Sequence, residues 1–190
     1  MPWLNTDGRW GAVAKTLHWV IALLVLSQFV LAQLAENAGA LKRTNPAAVI
    51  EQLTLLARHK SLGITIFGLA SIRLLWRLAS KVPADPSGMP RWQRVAARGS
   101  HTLFYVLLFA LPLTGWMLSS ASNYPVSWFG LVQLPDLVAP NRDLHERLEE
   151  VHEVLAWTLA SVAFVHIAAA LKHHFFDRDD VLRRMLPWGG

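Results

Sequence analysis

Four stretches of this chain are apolar for about the length of a membrane crossing. The first, Leu17 to Leu34 (LHWVIALLVLSQFVLAQL), carries no charge at all. The second lies within about residues 50–79 and contains RHKSLGITIFGLASIRLLWRL. The third, from about Ser100 to Ser119, reads SHTLFYVLLFALPLTGWMLSS, and the fourth covers about 146–174. A helix rising about 1.5 Å per residue needs roughly 20 such residues to cross a hydrocarbon core of about 30 Å. The pattern therefore predicts an all-α fold: an integral membrane four-helix bundle with approximate spans at 16–35, 52–78, 97–119 and 146–174, forming a single membrane domain over residues 1–190. Pro112 sits inside the third run with apolar residues on both sides, so it is expected to kink that helix rather than end it. The first run is longer than the roughly 7–15 residues of a signal-peptide core, and a retained helix is expected in place of a cleaved leader.

The connections carry the turn residues. Residues 36–49 (ENAGALKRTNPAAV) read as a short loop, and KVPADPSGMP breaks the chain between the second and third helices. The longest connection, 121–145, contains YPVSWFGLVQLP, apolar but interrupted by prolines, and is expected to lie at the membrane interface without crossing it. A short polar tail, DRDDVLRRMLPWGG, follows the fourth helix. Four crossings place both termini on one side. Twelve of the eighteen lysines and arginines fall on that side and six on the other, which predicts cytoplasmic termini. Trp10, Trp19, Trp76 and Trp92 near one boundary, with Trp116 and Trp128 near the other, fit interfacial aromatic belts.

Composition narrows the chemistry. With 53% hydrophobic and 16% charged residues the chain falls in the membrane class. It has no cysteine, which excludes iron–sulfur clusters, thiolate ligands and covalently attached haem. Its net charge of +5 comes from residues that flank the apolar segments and do not form one patch, so no nucleic-acid partner is expected.

Histidines are the informative residues. His152 and His166 are fourteen positions apart on the fourth helix, almost four whole turns, so both rings leave one face about 21 Å apart along the axis. That separation is too long for one metal ion and spans most of a bilayer core. The topology then assigns depths: His18 and His166 lie near the cytoplasmic end, His59 and His152 near the outer end. Two cross-helix pairs result, His18 with His166 and His59 with His152. Paired imidazoles on either side of an iron suit an electron-transfer haem, because they leave no open position for a substrate. The competing reading, four histidines that each bond a carbonyl or another helix, does not account for pairing at two depths. His101, also near the cytoplasmic end, is an alternative to His18 as a ligand and is otherwise expected to neighbour that site. His173 and His174 are expected to anchor the helix at the interface, and His145 to be solvated.

Charged residues inside the spans complete the candidates. Arg73 lies fourteen positions after His59, at the depth of His18 and His166. A charge there calls for a partner, and a haem propionate would suit a guanidinium; snorkelling to the interface with Arg77 is the alternative. Arg58 and Lys60 flank His59, where they would neutralise outer propionates, attract an anion or serve as boundary charges. The Glu146, Glu149, Glu150 and Glu153 carboxylates suit the positive end of the fourth helix dipole.

Taken together these residues resemble the prokaryotic cytochrome b561 family over nearly the whole chain. The resemblance rests on HW at 18–19, HKSLG at 59–63, RLLWR at 73–77, H-x3-Y at 101–105 and PLTGW at 112–116. Its most specific part is helix 4 with its exit: H-x13-H, then AALKHHF at 169–175 and LRRMLP at 182–187. It implies a multi-pass protein of the bacterial inner (plasma) membrane with two haem b groups, whose axial ligands would be His18, His59, His152 and His166. It also implies electron exchange with a membrane quinone, with ubiquinone as the electron acceptor or donor. One similar branch oxidises superoxide at the outer face and reduces ubiquinone, so the chain is expected to be an oxidoreductase of the superoxide:ubiquinone type. The alternative is a non-enzymatic cytochrome subunit that relays electrons from an electron-donating protein. A histidine-based metal or proton transporter would need carboxylates that the spans lack.

Overall fold

The computed structural model of the chain describes residues 3–86 and 88–187. Four long helices dominate it: α1 (Ala12–Leu41), α2 (Ala47–Ala79), α3 (Arg91–Ala121) and α4 (Arg142–Lys172). All four are long and apolar enough to cross a membrane, with mean hydropathy between 1.5 and 2.0 over their most apolar windows. The architecture is thus an all-α transmembrane four-helix bundle. All four helices outrun the apolar pattern, and in α1 and α2 this shortens the loop between them. α1 continues through Leu41, six residues past the expected span, and α2 begins at Ala47. The loop expected at 36–49 shrinks to Lys42–Pro46, where the Asn45 side chain accepts from Ala47 N at 3.1 Å and starts α2.

Burial is inverted relative to a water-soluble bundle. Large apolar side chains such as Leu23, Leu75 and Phe164 are exposed, whereas the buried positions on the facing helices are mostly small. Ala35, Ala48 and Ala70 are almost fully buried, and at Gly39 a Cβ would collide with the side chain of Gln52. Without a hydrophobic drive between helices in lipid, close backbone approach supplies the packing, and small residues permit it. A compact core of Ile21, Ile66, Ala70 and Leu108 joins α1, α2 and α3. α3 runs unbroken through Pro112.

The helices pack in sequence order, α1 along α2, α2 along α3 and α3 along α4. No sustained contact joins α4 to α1 or α2 among the described residues. Among the described residues the bundle is therefore packed on three sides, and the fourth side, between α4 and the α1–α2 pair, is spanned by side chains and by α5 (Val181–Met185), which returns to α1.

The segment between α3 and α4 contains no helix long enough to cross a membrane. It folds back as a hairpin of β1 (Ser127–Trp128) and β2 (Val132–Gln133), with Trp128 opposite Val132. Phe129 and Gly130 form its turn, both at positive φ (50° and 74°), closed by Leu131 N to Trp128 O at 2.9 Å. Such a mirror-image turn matches the strand twist, but a bulky Phe in this region carries a strain of about 1–2 kcal/mol. Ser61 and Thr65 of α2 hold the hairpin in place: Phe129 N donates to Ser61 Oγ (3.0 Å) and Trp128 Nε1 to Thr65 Oγ1 (3.1 Å). The polar tail is more structured than its composition suggests. A π-helical turn (His173–Asp177) leads into α5 (Val181–Met185), which returns to α1 through Lys15 Nζ to Leu186 O (2.9 Å) and Trp19 Nε1 to Met185 O (2.8 Å).

Candidate functional site

Both histidine pairs face each other across the open side of the bundle. His18 on α1 and His166 on α4 have ring centroids 6.3 Å apart with planes at 66°. His59 on α2 and His152 on α4 repeat this arrangement, at 6.3 Å and 69°. All four rings are half-buried. Two imidazoles that ligate one iron from opposite faces, with metal–nitrogen bonds of about 2.0 Å, have ring centroids about 6.3 Å apart. The two pairs match that spacing, although no direct hydrogen bond joins either pair.

Each pair has its own surroundings. His166 also meets His101 (5.7 Å between centroids) and Phe104 (5.2 Å), while His18 meets Trp19 (5.3 Å), all edge-to-face. His101 thus belongs to the cluster at the termini-bearing end, at a shorter spacing from His166 than His18 has. At the far end, His152 is seated against α3. Its Nδ1 lies 3.0 Å from Thr114 Oγ1, and a Cβ on Gly115 would stand only 3.1 Å from its Cε1. His59 Nδ1 is buried without a hydrogen bond of normal geometry, and the Gln28 amide donates to the His59 carbonyl at 3.1 Å. An unpaired buried nitrogen, four half-buried imidazoles and a bundle side without backbone packing suit a flat, largely apolar group with a metal at its centre.

The cationic candidates take different positions. Arg73 is half-buried, and its Nη1 donates to the Ala14 carbonyl of α1 at 3.0 Å, with the Tyr105 side chain of α3 beside its guanidinium. It is therefore held inside the bundle between two neighbouring helices. Lys60 turns toward the Tyr124 ring, 5.8 Å from its centroid. Arg58 lines an outward groove of about 620 Å³ with Ser27 and Phe129.

Two expectations need correction. His145 is only partly solvated: its Nδ1 lies 2.7 Å from Ser122 Oγ, tying the start of α4 to the end of α3. His173 is more than an interfacial anchor, since its Nδ1 contacts Asp179 (2.6 Å) and Asp177 (3.2 Å) and braces the π-helical turn. Thr114, Gly115 and Gln28 were not anticipated at the site. The PLTGW run held the only signal for the first two.

This bundle, with two facing histidine pairs, is matched over residues 9–188 by the family model for prokaryotic cytochrome b561. The chain belongs to that family. It is similar to cytochrome b561 homolog 2 of Escherichia coli (strain K12), 33% identical over 190 residues, which covers 98% of this chain and 95% of the relative. It is also similar to cytochrome b561 homolog 1 of the same strain, 29% identical over 90% of this chain and 93% of the relative. A protein of Yersinia pestis named probable superoxide oxidase CybB is 30% identical over 90% of this chain and 92% of its own length. Family membership makes this b561 protein a multi-pass prokaryotic membrane cytochrome that carries b-type haem and takes part in electron transport.

Proposed function

We propose that this protein is a transmembrane electron conduit with two haem b groups, one held by His59 and His152 and the other by His18 and His166. The single observation that carries the reading is the repeated 6.3 Å pairing across the open side of the bundle, at two levels about 21 Å apart along α4. By the positive-inside bias the termini lie in the cytoplasm of a bacterial cell with the protein in its inner membrane, so His59 and His152 mark the outer site. Bound there, haem supplies reversible one-electron transfer at an iron with no vacant coordination position. The chain's own residues fix the rings, keep water from the pairs and balance charge. Arg73, anchored by Ala14 and Tyr105, uses only part of its five-donor fork for these contacts and would meet a propionate with the rest.

The finer reading is superoxide oxidation coupled to ubiquinone reduction. Two superoxide anions would each give up one electron and leave as dioxygen; ubiquinone would take both electrons with two protons to form ubiquinol. The outer-end cations Arg58 and Lys60 and the similarity to the named superoxide oxidase support it. Purified protein should show b-type haem bands at two haems per chain. His59→Ala and His152→Ala should each lose one and the same haem, and His18→Ala and His166→Ala the other. If His18→Ala keeps both haems while His101→Ala loses one, the assignment at the termini-bearing end is wrong. Haem-replete protein that consumes superoxide no faster than spontaneous dismutation would remove the oxidase reading and leave a relay for an electron-donating protein.

A further inference from the structure

We infer that Thr114 is a positioning residue that sets the tautomer and basicity of His152, and that Gly115 beside it makes room for the ring. The inference rests on His152 being a haem ligand. A threonine hydroxyl has one proton to give. Thr114 Oγ1 lies 3.0 Å from the Leu111 carbonyl, which can only accept, so the hydroxyl proton is directed there. The oxygen is then left to accept at its second contact, His152 Nδ1, also at 3.0 Å. The Leu111 carbonyl that takes the hydroxyl proton can itself only accept. An oxygen whose own proton is committed elsewhere places the ring proton on Nδ1. A neutral imidazole with its proton on Nδ1 presents a lone pair on Nε2, the form that ligates a metal.

The local sequence explains why these groups converge. Gly115 offers no side chain where a Cβ would stand 3.1 Å from Cε1, 3.6 Å from Nδ1 and 4.0 Å from Nε2 of His152. The ring lies directly on the α3 backbone, within reach of a hydroxyl one residue earlier. The PLTGW run is therefore a cradle built on α3 for a histidine of α4.

His59, across the site, has no side-chain acceptor at its buried Nδ1, and only the Gln28 main chain lies beside its ring. The pair is unequal. A ring whose Nδ1–H is hydrogen-bonded is a more basic ligand and favours the oxidised metal. His152 is thus the electron-donating member, and Thr114 holds the outer site's potential down.

The test separates hydroxyl from volume. Thr114→Val keeps the shape and removes the acceptor; Thr114→Ser keeps the hydroxyl and removes a methyl. In redox titrations of the purified holoprotein, Thr114→Val should raise the midpoint of the haem that is lost in His152→Ala and leave the other unmoved, while Thr114→Ser stays at the wild-type value. Transfer of that haem to apomyoglobin should be easier from the Val variant, by a factor in the range of about 10–100 expected for loss of an outer-shell partner. If Val and Ser behave alike, or if both midpoints and the transfer rate are unchanged in Val, the inference fails while the ligand assignment stands. If His152→Ala retains both haems, the ligand assignment itself fails, and this inference with it.

Discussion

Replacing Gly115 by alanine sets two effects against each other that the structure allows to be weighed. The added methyl would stand 3.1 Å from His152 Cε1, against the roughly 3.5–4.0 Å at which carbon atoms pack without repulsion. The ring must therefore retreat by about 0.4 Å or more from the α3 backbone. Functional side chains tolerate displacement of about 0.5 Å before their geometry fails, so alanine sits at the edge and a branched residue well beyond it. The opposing effect is helix propensity, which favours alanine over glycine by about 1 kcal/mol. That gain acts on α3 whether or not haem is present, whereas the clash acts only on the His152 site. Gly115→Ala should thus yield well-folded protein with one haem weakened, and Gly115→Val protein that has lost that haem and kept the other. Haem-to-protein ratios, with reduced spectra compared against His152→Ala, measure this directly. Full retention of both haems with unchanged spectra in Gly115→Val would refute the cradle and show that His152 does not rest on α3 as described.

Two further outcomes follow from the charged residues. Arg73→Leu should lower the midpoint of the haem assigned to His18 and His166, because a nearby cation favours the electron-rich state. A unit charge at about 10 Å in an effective dielectric of about 20 is worth about 1.7 kcal/mol, or roughly 70 mV for one electron, and Arg73→Lys should recover most of it. A redox titration in which neither midpoint moves would confine Arg73 to its contacts with Ala14 and Tyr105. Superoxide-driven quinone reduction should slow as salt rises from about 0.01 M, where screening extends about 30 Å, to about 0.15 M, where it extends about 8 Å. Haem-replete Lys60→Gln should be slower at low salt and lose its deficit at high salt; identical rates across the series would exclude electrostatic capture by Lys60.

Much of the architecture could be read from periodicity because a lipid-facing helix needs only length and apolarity. The pairing of His18 with His166 and of His59 with His152 was legible for a related reason. A fourteen-residue spacing returns to the same helix face, and antiparallel topology then assigns depth without any packing detail. What escaped depended on contacts between distant segments. Thr114 and Gly115 lie 38 and 37 positions before His152, and nothing in PLTGW announces an imidazole partner. His145 sits among acidic residues, a solvated context by composition, yet its Nδ1 partner is Ser122 of the preceding helix. The hairpin was hidden because its turn uses Phe129–Gly130 in place of the Asn–Gly or Asp–Gly pair that marks such turns. The contacts of Arg73 with an α1 carbonyl and an α3 phenol likewise join segments far apart in the chain.

The packing order of the helices carries a consequence for folding. α4 contributes one histidine to each pair, yet it packs along α3 and meets α5 without sustained contact to α1 or α2. Its connection to that half of the bundle runs through His18–His166 and His59–His152 and, beyond its C-terminal end, through α5, whose Met185 and Leu186 carbonyls accept from Trp19 and Lys15 of α1. A group bound between each pair would act as the missing contact, and binding only to the folded state stabilises it by about 4 kcal/mol per site at a thousandfold excess over the dissociation constant. Haem-free protein should therefore keep the α1–α2 hairpin and loosen α4. Two double variants produce that state from opposite sides: His152→Ala with His166→Ala removes the ligands of α4, and His18→Ala with His59→Ala removes those of α1 and α2. Hydrogen exchange in detergent should show lost protection concentrated in α4 for both, to a similar extent, with Ala12–Ala79 largely retained. Loosening of α4 only in the first variant would mean that the α4 histidines act through local packing. Uniform loss along the chain, or none, would show that the open side of the bundle is closed by something other than the groups its histidines hold.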